Sequence, residues 1–175
     1  MDQITVGAGA KQIIGAALTA SLEPGDEVIV CAPYWVSYPD MVLLNDAKPV
    51  VVTGPESQGF KLDAATLEAA ITPRTRWLIL NSPSNPSGAV YSAAELRALT
   101  DVLLRHPQVW ILSDEIYAPF CYSGQSHASP VQVEPQLIPR TLIVNGMSKS
   151  YAMTGWRIGY GAGPGDLIKA MSTVM

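Results

Sequence analysis

The chain has 175 residues, 48% of them hydrophobic and 15% charged, and eleven Lys+Arg against fifteen Asp+Glu leave a net charge of −4. That length suits one domain or a large part of a bigger protein, and the composition excludes an intrinsically disordered chain. The charge argues against a nucleic-acid surface, and a membrane span is not expected because the longest apolar run, Val28 to Val36, is short and contains Pro33.

Cys31 and Cys121 both lie among apolar neighbours and are too few for a disulfide framework, so reduced, buried thiols are expected. Residues 1–20 lack a basic start, an apolar block and a small-residue cleavage site. The expected compartment is the cytoplasm.

Gln3 to Val6 reads as a strand that passes through Val6-Gly7-Ala8-Gly9-Ala10 into a helix. That helix places Ile13, Ile14, Ala17, Leu18 and Leu22 on one face and stops at Pro24-Gly25. Val28 to Cys31 is apolar on both faces, as an interior parallel strand requires. A helix around Val36 to Leu44 and a strand at Val50 to Val52 follow. Asp63 is placed to cap the next helix, with Leu62 and Leu67 as a hydrophobic staple. Trp77 to Leu80 is a strand, and Ser92-Ala93-Ala94-Glu95 is a capping box opening a helix to about Arg105. Strands at Val109 to Leu112, Thr141 to Val144 and Arg157 to Gly161 precede a last helix after Pro164. Seven strands interleaved with helices predict a three-layer α/β/α fold, a mostly parallel sheet in one domain over residues 1–175. The first strand follows Met1 almost at once, and the last helix reaches Met175 without a stop signal. The sequence therefore reads as a piece truncated at both ends.

In parallel α/β sheets ligands bind at the carboxyl ends of strands, and four polar segments fall there. Gly7-Ala8-Gly9-Ala10-Lys11-Gln12 offers free N–H groups at a helix start, either a phosphate site or only a tight turn. It is neither a P-loop nor a dinucleotide fingerprint. Asn81 to Gly88 is either an ordinary Pro/Gly loop or one in which a cis peptide before Pro86 aims the Asn85 amide into a site. Ser113-Asp114-Glu115-Ile116-Tyr117 ends an apolar strand with a carboxylate, which caps a turn or meets a cation. Asn145 to Ser150 holds Lys149, one of five lysines. A lysine in that place is either an ordinary surface residue or a Schiff-base former, and Arg157 beyond it suits a phosphate. Together these supply a phosphate cradle (Gly9 to Lys11, Ser148, Arg157), an amine for an aldehyde (Lys149) and a carboxylate for a ring nitrogen (Asp114). Tyr117 and Asn85 can bond a ring hydroxyl, and Trp35 can stack on a ring. Pyridoxal phosphate needs all of them. No metal site is expected.

Ala32-Pro33-Tyr34-Trp35-Val36-Ser37-Tyr38-Pro39, Asn81 to Gly88, Ser113 to Tyr117 and Ser148 to Tyr160 occur in the order found in one family. The chain resembles, over essentially its whole length, the large domain of class I/II aminotransferases, pyridoxal-phosphate enzymes of fold type I, in their aspartate aminotransferase-like branch. The resemblance implies a sheet of order 3-2-4-5-6-7-1 with the seventh strand antiparallel. It implies transamination between an amino acid, aspartate or glutamate, and a 2-oxo acid. Lys149 would carry the Schiff base and shuttle the proton; Asp114 would pair with the pyridine nitrogen. Tyr117 and Asn85 would bond the 3′-oxygen, Trp35 would stack on the ring, and Gly9, Ala10, Lys11, Ser148 and Arg157 would hold the phosphate. Lys11 is also implied in reaching the side-chain carboxylate of an acidic substrate. A homodimer is implied, as are a small domain and a substrate-clamping arginine outside these residues. The alternatives are a decarboxylase, lyase or synthase of the same fold, or a non-catalytic cofactor-sensing domain of a regulator.

Overall fold

The computed structural model describes residues 2–122 and 124–175, so the expectation attached to Met1 lies outside the described residues. Strands β1 (Ile4–Ala8), β2 (Glu27–Ala32), β3 (Lys48–Thr53), β4 (Thr75–Asn81), β5 (Trp110–Asp114), β6 (Thr141–Gly146) and β7 (Ile158–Ala162) form one sheet. Between and after them lie α1 (Ala10–Ser21), α2 (Ser37–Leu43), α3 (Ala64–Ala70), α4 (Ala93–Arg105), α5 (Pro130–Val133), α6 (Met147–Ser150) and α7 (Gly165–Val174). The sheet order is β1-β7-β6-β5-β4-β2-β3. β7 runs antiparallel to both β1 and β6, and the remaining pairs are parallel. The α/β/α fold, the strand order and the reversed seventh strand are those implied by the resemblance.

Side-chain alternation along the central strands makes two cores. Val28, Val30, Trp77, Ile79 and Leu112 pack with α1, α2 and α7, while Ile29, Leu78, Leu80 and Ile111 pack with α3 and α4 on the other face. Strands that must be apolar on both faces are thereby explained, since both faces are covered. The local start signals act as read. The Asp63 side chain accepts the Thr66 N–H at 2.7 Å, and both halves of the Ser92–Glu95 box are made. Leu62 and Leu67 are both buried in the same core.

Three details differ from the sequence reading. β1 runs on to Ala8, because Gly7 and Ala8 pair with Gly159 and Ile158 of β7. The supposed glycine loop is therefore reduced to Gly9, since an antiparallel neighbour from the far end of the chain supplies ladder partners that local composition does not reveal. Arg157 stands one residue ahead of β7 in the left-handed region at φ 52°, rather than opening the strand. Cys31 and Cys121 are free thiols but half-buried, because Cys31 lies past the last β2–β4 pair, at the end of β2 where only β3 flanks it, and Cys121 lies in the long connection after β5.

Candidate active site

The parallel strands β2, β4, β5 and β6 end at one edge, and there a cavity of about 220 Å³ opens. Nine of the ten residues singled out in the sequence line it: Ala10, Lys11, Trp35, Asn85, Asp114, Tyr117, Ser148, Lys149 and Arg157. The tenth, Gly9, lies behind the wall as the N-cap of α1. Residues from five separate connections thus converge, which is what a strand-end edge permits.

Asp114 is the last residue of β5, and alternation turns it toward α1 and α2. Its carboxylate is buried at 4% exposure, where it accepts the Tyr38 hydroxyl at 2.7 Å and the Ile116 N–H at 3.2 Å. No cationic side chain pairs with it among the described residues. Burial pushes its pKa up to about 6; the bonds from Tyr38 and Ile116 oppose that rise, and the neighbouring Glu115 charge adds to it. Burial beside this carboxylate also holds the Tyr38 phenol protonated, with its pKa raised well above the ordinary value. A buried carboxylate with hydrogen bonds and no counter-charge, facing a cavity, is arranged for a cation that arrives with a ligand. Replacing Tyr38 by Phe removes the stronger of the two opposing bonds. The Asp114 carboxyl is then expected to titrate above pH 6 in the ligand-free protein, as followed by carbon-13 NMR of the carboxyl.

The cavity lining also carries a cation, Arg157, set against the start of α1. Gly9 has φ +88°, and a Cβ there would run into the Arg157 guanidinium, so only glycine lets that group lie against the start of α1. The Arg157 Nη1 donates to the Thr154 carbonyl at 3.1 Å, which fixes the guanidinium without neutralising it. No carboxylate pairs with Arg157 among the described residues. The Gln12 N–H donates to the Gly9 carbonyl at 3.1 Å, which leaves the Ala10 and Lys11 N–H groups without intrahelical acceptors, and the helix dipole places positive charge at the same point. Ser148, buried in α6, completes a cradle for an anion.

Two lysines line the same cavity. The Lys149 Nζ is 5.6 Å from the centre of the Tyr117 ring, and the Lys11 Nζ is 4.8 Å from the centre of the Trp35 ring. Asn85 is aimed by its neighbour Asn81, whose Oδ1 accepts the Asn85 N–H at 2.8 Å. The Asn81 Nδ2 in turn donates to the Asp114 carbonyl at 3.0 Å. The Asn85–Pro86 peptide is cis, and Asn85 lines the cavity. Sequence reasoning gave no role to Tyr38, Asn81 or Thr154. A signal for Tyr38 was its spacing of three from Trp35 across the turn that opens α2, where the Tyr38 N–H donates to the Trp35 carbonyl at 3.0 Å. Their rings meet edge to face at 5.4 Å. Among the described residues no group of His, Cys, Asp and Glu side chains is placed to hold a metal ion, and no helix is long and apolar enough to cross a membrane.

A mostly parallel α/β sheet whose strand-end cavity joins a buried carboxylate, an amine and an anion cradle has the ligand-binding architecture of an open α/β domain. The model of the family "Aminotransferase class I and II" matches residues 1–175, and the chain belongs to that family. It is 60% identical over 174 residues to an aspartate aminotransferase of Rhizobium meliloti (strain 1021), covering 99% of this chain and 42% of the relative. It is 60% identical over 172 residues to an aspartate/prephenate aminotransferase of Cereibacter sphaeroides, covering 98% of this chain and 43% of that protein. The crystal structure of the Rhizobium meliloti aspartate aminotransferase superposes with a TM-score of 0.97 at 61% identity, over 99% of this chain and 43% of the other. That of the Thermus thermophilus enzyme with maleate gives 0.93 at 46% identity, over 99% and 44%. The chain thus spans less than half the length of the relatives it matches.

Proposed function

We propose that these residues are the pyridoxal phosphate-binding large domain of an aminotransferase that exchanges an amino group between aspartate or glutamate and a 2-oxo acid. The observation that carries the reading is the cavity itself, whose lining brings together a carboxylate lacking a counter-charge among the described residues, an anion cradle and Lys149. The cradle's cations suit a phosphate dianion, and the single carboxylate suits a ring nitrogen that carries a proton. Pyridoxal phosphate, when bound, supplies the electron sink that lets a proton leave an amino-acid α-carbon.

The roles of the side chains follow from their places. Ser148, Arg157 and the α1 start hold the phosphate, and Trp35 offers a ring face. Asp114 keeps the ring nitrogen protonated, and Tyr38 keeps Asp114 oriented. Tyr117 and Asn85 address the 3′-oxygen. Lys149 is the attachment amine and the base that moves the proton at the substrate α-carbon. Lys11, on the Trp35 side of the cavity, is a cation for the side-chain carboxylate of an acidic substrate. The names of the relatives support a dicarboxylic substrate, and a dicarboxylate, maleate, accompanies the Thermus thermophilus structure. The relative from Cereibacter sphaeroides adds prephenate as an acceptor worth assaying. A cytoplasmic homodimer goes with this reading. Exposed Val36, Tyr151 and Trp156 beside the lining residues suit a subunit contact, and free thiols suit a reducing compartment.

The test is borohydride reduction of the cofactor-loaded protein followed by peptide mapping. The pyridoxyl group is expected on Lys149, and its appearance on Lys11 overturns the assignment. Gly9→Ala tests the cradle. Left-handed backbone strain of about 1–2 kcal/mol, together with displacement of the Arg157 guanidinium, is expected to weaken pyridoxal phosphate binding by at least about tenfold in a fluorescence titration.

A further inference from the structure

The connection from β5 to α5 carries Tyr117 into the cavity yet contains no regular element of its own between Asp114 and Pro130. Loops of that length in compact domains need something to hold them. Here the holding group is Glu115. Its side chain lies on the face of the sheet opposite Asp114, buried and away from the cavity. One carboxylate oxygen accepts the Ser113 hydroxyl at 3.0 Å and the Ser129 hydroxyl at 2.6 Å; the other meets the His127 Nε2 at 3.0 Å. Ser113 belongs to β5, and Ser129 is the N-cap of α5, so one carboxylate joins the two ends of the loop. The backbone of Glu115 is itself anchored, its N–H donating to the Val144 carbonyl of β6 at 2.9 Å. From that anchor the chain turns directly into the site. Ala118 donates to the Glu115 carbonyl at 2.9 Å, and Phe120 donates to the Tyr117 carbonyl at 2.8 Å.

We propose that Glu115 is a positioning residue that clasps both ends of the β5–α5 loop and thereby fixes Tyr117 in the cavity. The chemistry favours a clasp over a chance contact. A buried carboxylate is costly unless its lone pairs are filled, and here three side chains from both ends of the loop fill them. His127 commits Nε2 to Glu115, while its buried Nδ1 has no hydrogen-bond partner among the described residues. Glu115 does not line the cavity; it reaches it through the turn that bears Tyr117 and through its charge beside Asp114, and Glu115→Ala and Glu115→Gln remove that charge equally, so only the clasp distinguishes them.

The inference rests on the reading of the cavity as a pyridoxal phosphate site, because its effect is measured on that ligand through Tyr117. The experiment uses the full-length protein, wild type and as Glu115→Ala, Glu115→Gln, Tyr117→Phe and the double variant Glu115→Ala/Tyr117→Phe. Pyridoxal phosphate dissociation constants and absorbance maxima are measured, together with amide exchange over residues 116–128 in the ligand-free protein. Glu115→Ala is expected to weaken binding about tenfold, the scale of one hydrogen bond lost, to shift the absorbance as Tyr117→Phe does, and to speed exchange in the loop. Glu115→Gln, which keeps an acceptor oxygen for Ser113 and Ser129, is expected to restore most of the affinity. The double variant is expected to bind no more weakly than Tyr117→Phe alone, since both changes remove one interaction. Multiplying losses in the double variant, or wild-type affinity in Glu115→Ala, overturn the proposal. If Glu115→Ala does not fold, Ser129→Ala replaces it in the same cycle with the same outcomes. Failure of the wild type to bind pyridoxal phosphate overturns the reading of the cavity instead. The clasp is then decided by loop exchange, and exchange unchanged by Glu115→Ala overturns it.

Discussion

Lys149→Ala is expected to lower transamination by the full-length protein by at least about 10⁴-fold, the upper end of what one positioned acid–base group contributes. Two functions vanish together, covalent attachment and proton movement at the substrate α-carbon. Lys11, the other lysine in the cavity, lies against Trp35 rather than Tyr117 and is not placed to replace it. Binding should outlast activity, because Ser148, Arg157 and the start of α1 are untouched. The check is a steady-state assay with aspartate and 2-oxoglutarate beside a cofactor titration. Activity within tenfold of wild type would show that Lys149 is not the base.

Asp114→Asn is expected to act in opposite directions on stability and on catalysis. Its carboxyl shifts from 3.8 to about 6 in the folded ligand-free protein, so between those values the folded state binds more protons than the unfolded one. Stability therefore falls as pH rises through that window, and at neutral pH the charged form costs about 3 kcal/mol as an upper bound. Asparagine carries no charge to desolvate. The ligand-free variant is thus expected to melt higher than wild type at pH 7.5 and to lose most of that gain at pH 4, where the folded-state carboxyl is protonated and the pH lies close to the unfolded value of 3.8. In the loaded enzyme a ring cation supplies the missing counter-charge, and the sign reverses. There the variant is expected to turn over at least about a hundredfold more slowly, the scale of losing one electrostatic stabiliser. Thermal melts at two pH values and a turnover assay separate the two effects. A ligand-free variant that melts lower at pH 7.5 would show that Asp114 is not strained by burial.

What the sequence disclosed followed the range of each interaction. The Ser92–Glu95 box and the Asp63 cap are satisfied within one helical turn, so their residues announce them directly. The two-faced strands were legible because a sheet covered on both sides needs continuous apolar runs, which Val28 to Cys31 and Trp77 to Leu80 provide. The site residues stood out because Asp114, Asn85 and Lys149 are polar groups placed just where apolar strands end. Tyr38 was missed because its partner, Asp114, is joined to it only by the fold, and a tyrosine in a helix is an ordinary core residue by itself. Gly7 and Ala8 were read as a loop because their ladder partners, Gly159 and Ile158, are at the other end of the chain. Ser129 and His127 likewise gain meaning only when the β5–α5 connection folds back onto Glu115.

The reversed β7 has a consequence for how the protein is made. Because β7 lies between β1 and β6, the anion cradle is assembled from the first helix start and from residues 148–157, contributed by opposite ends of the chain. During synthesis, β1 and α1 emerge with their glycine and amide groups in place but with no guanidinium to face them, and β1 waits as an unpaired strand. It acquires a neighbour only after Ile158 to Ala162 leave the ribosome. Closing so long a loop raises the entropic cost only slowly with length, but such distant pairings delay folding. On the proposed reading of the cavity, a phosphate gripped by these two sequence-distant segments works as a fastener, drawing them together and favouring the closed sheet by mass action. On that reading, cells poor in pyridoxal phosphate should accumulate chains with β1 undocked, open to proteases at residues 2–9.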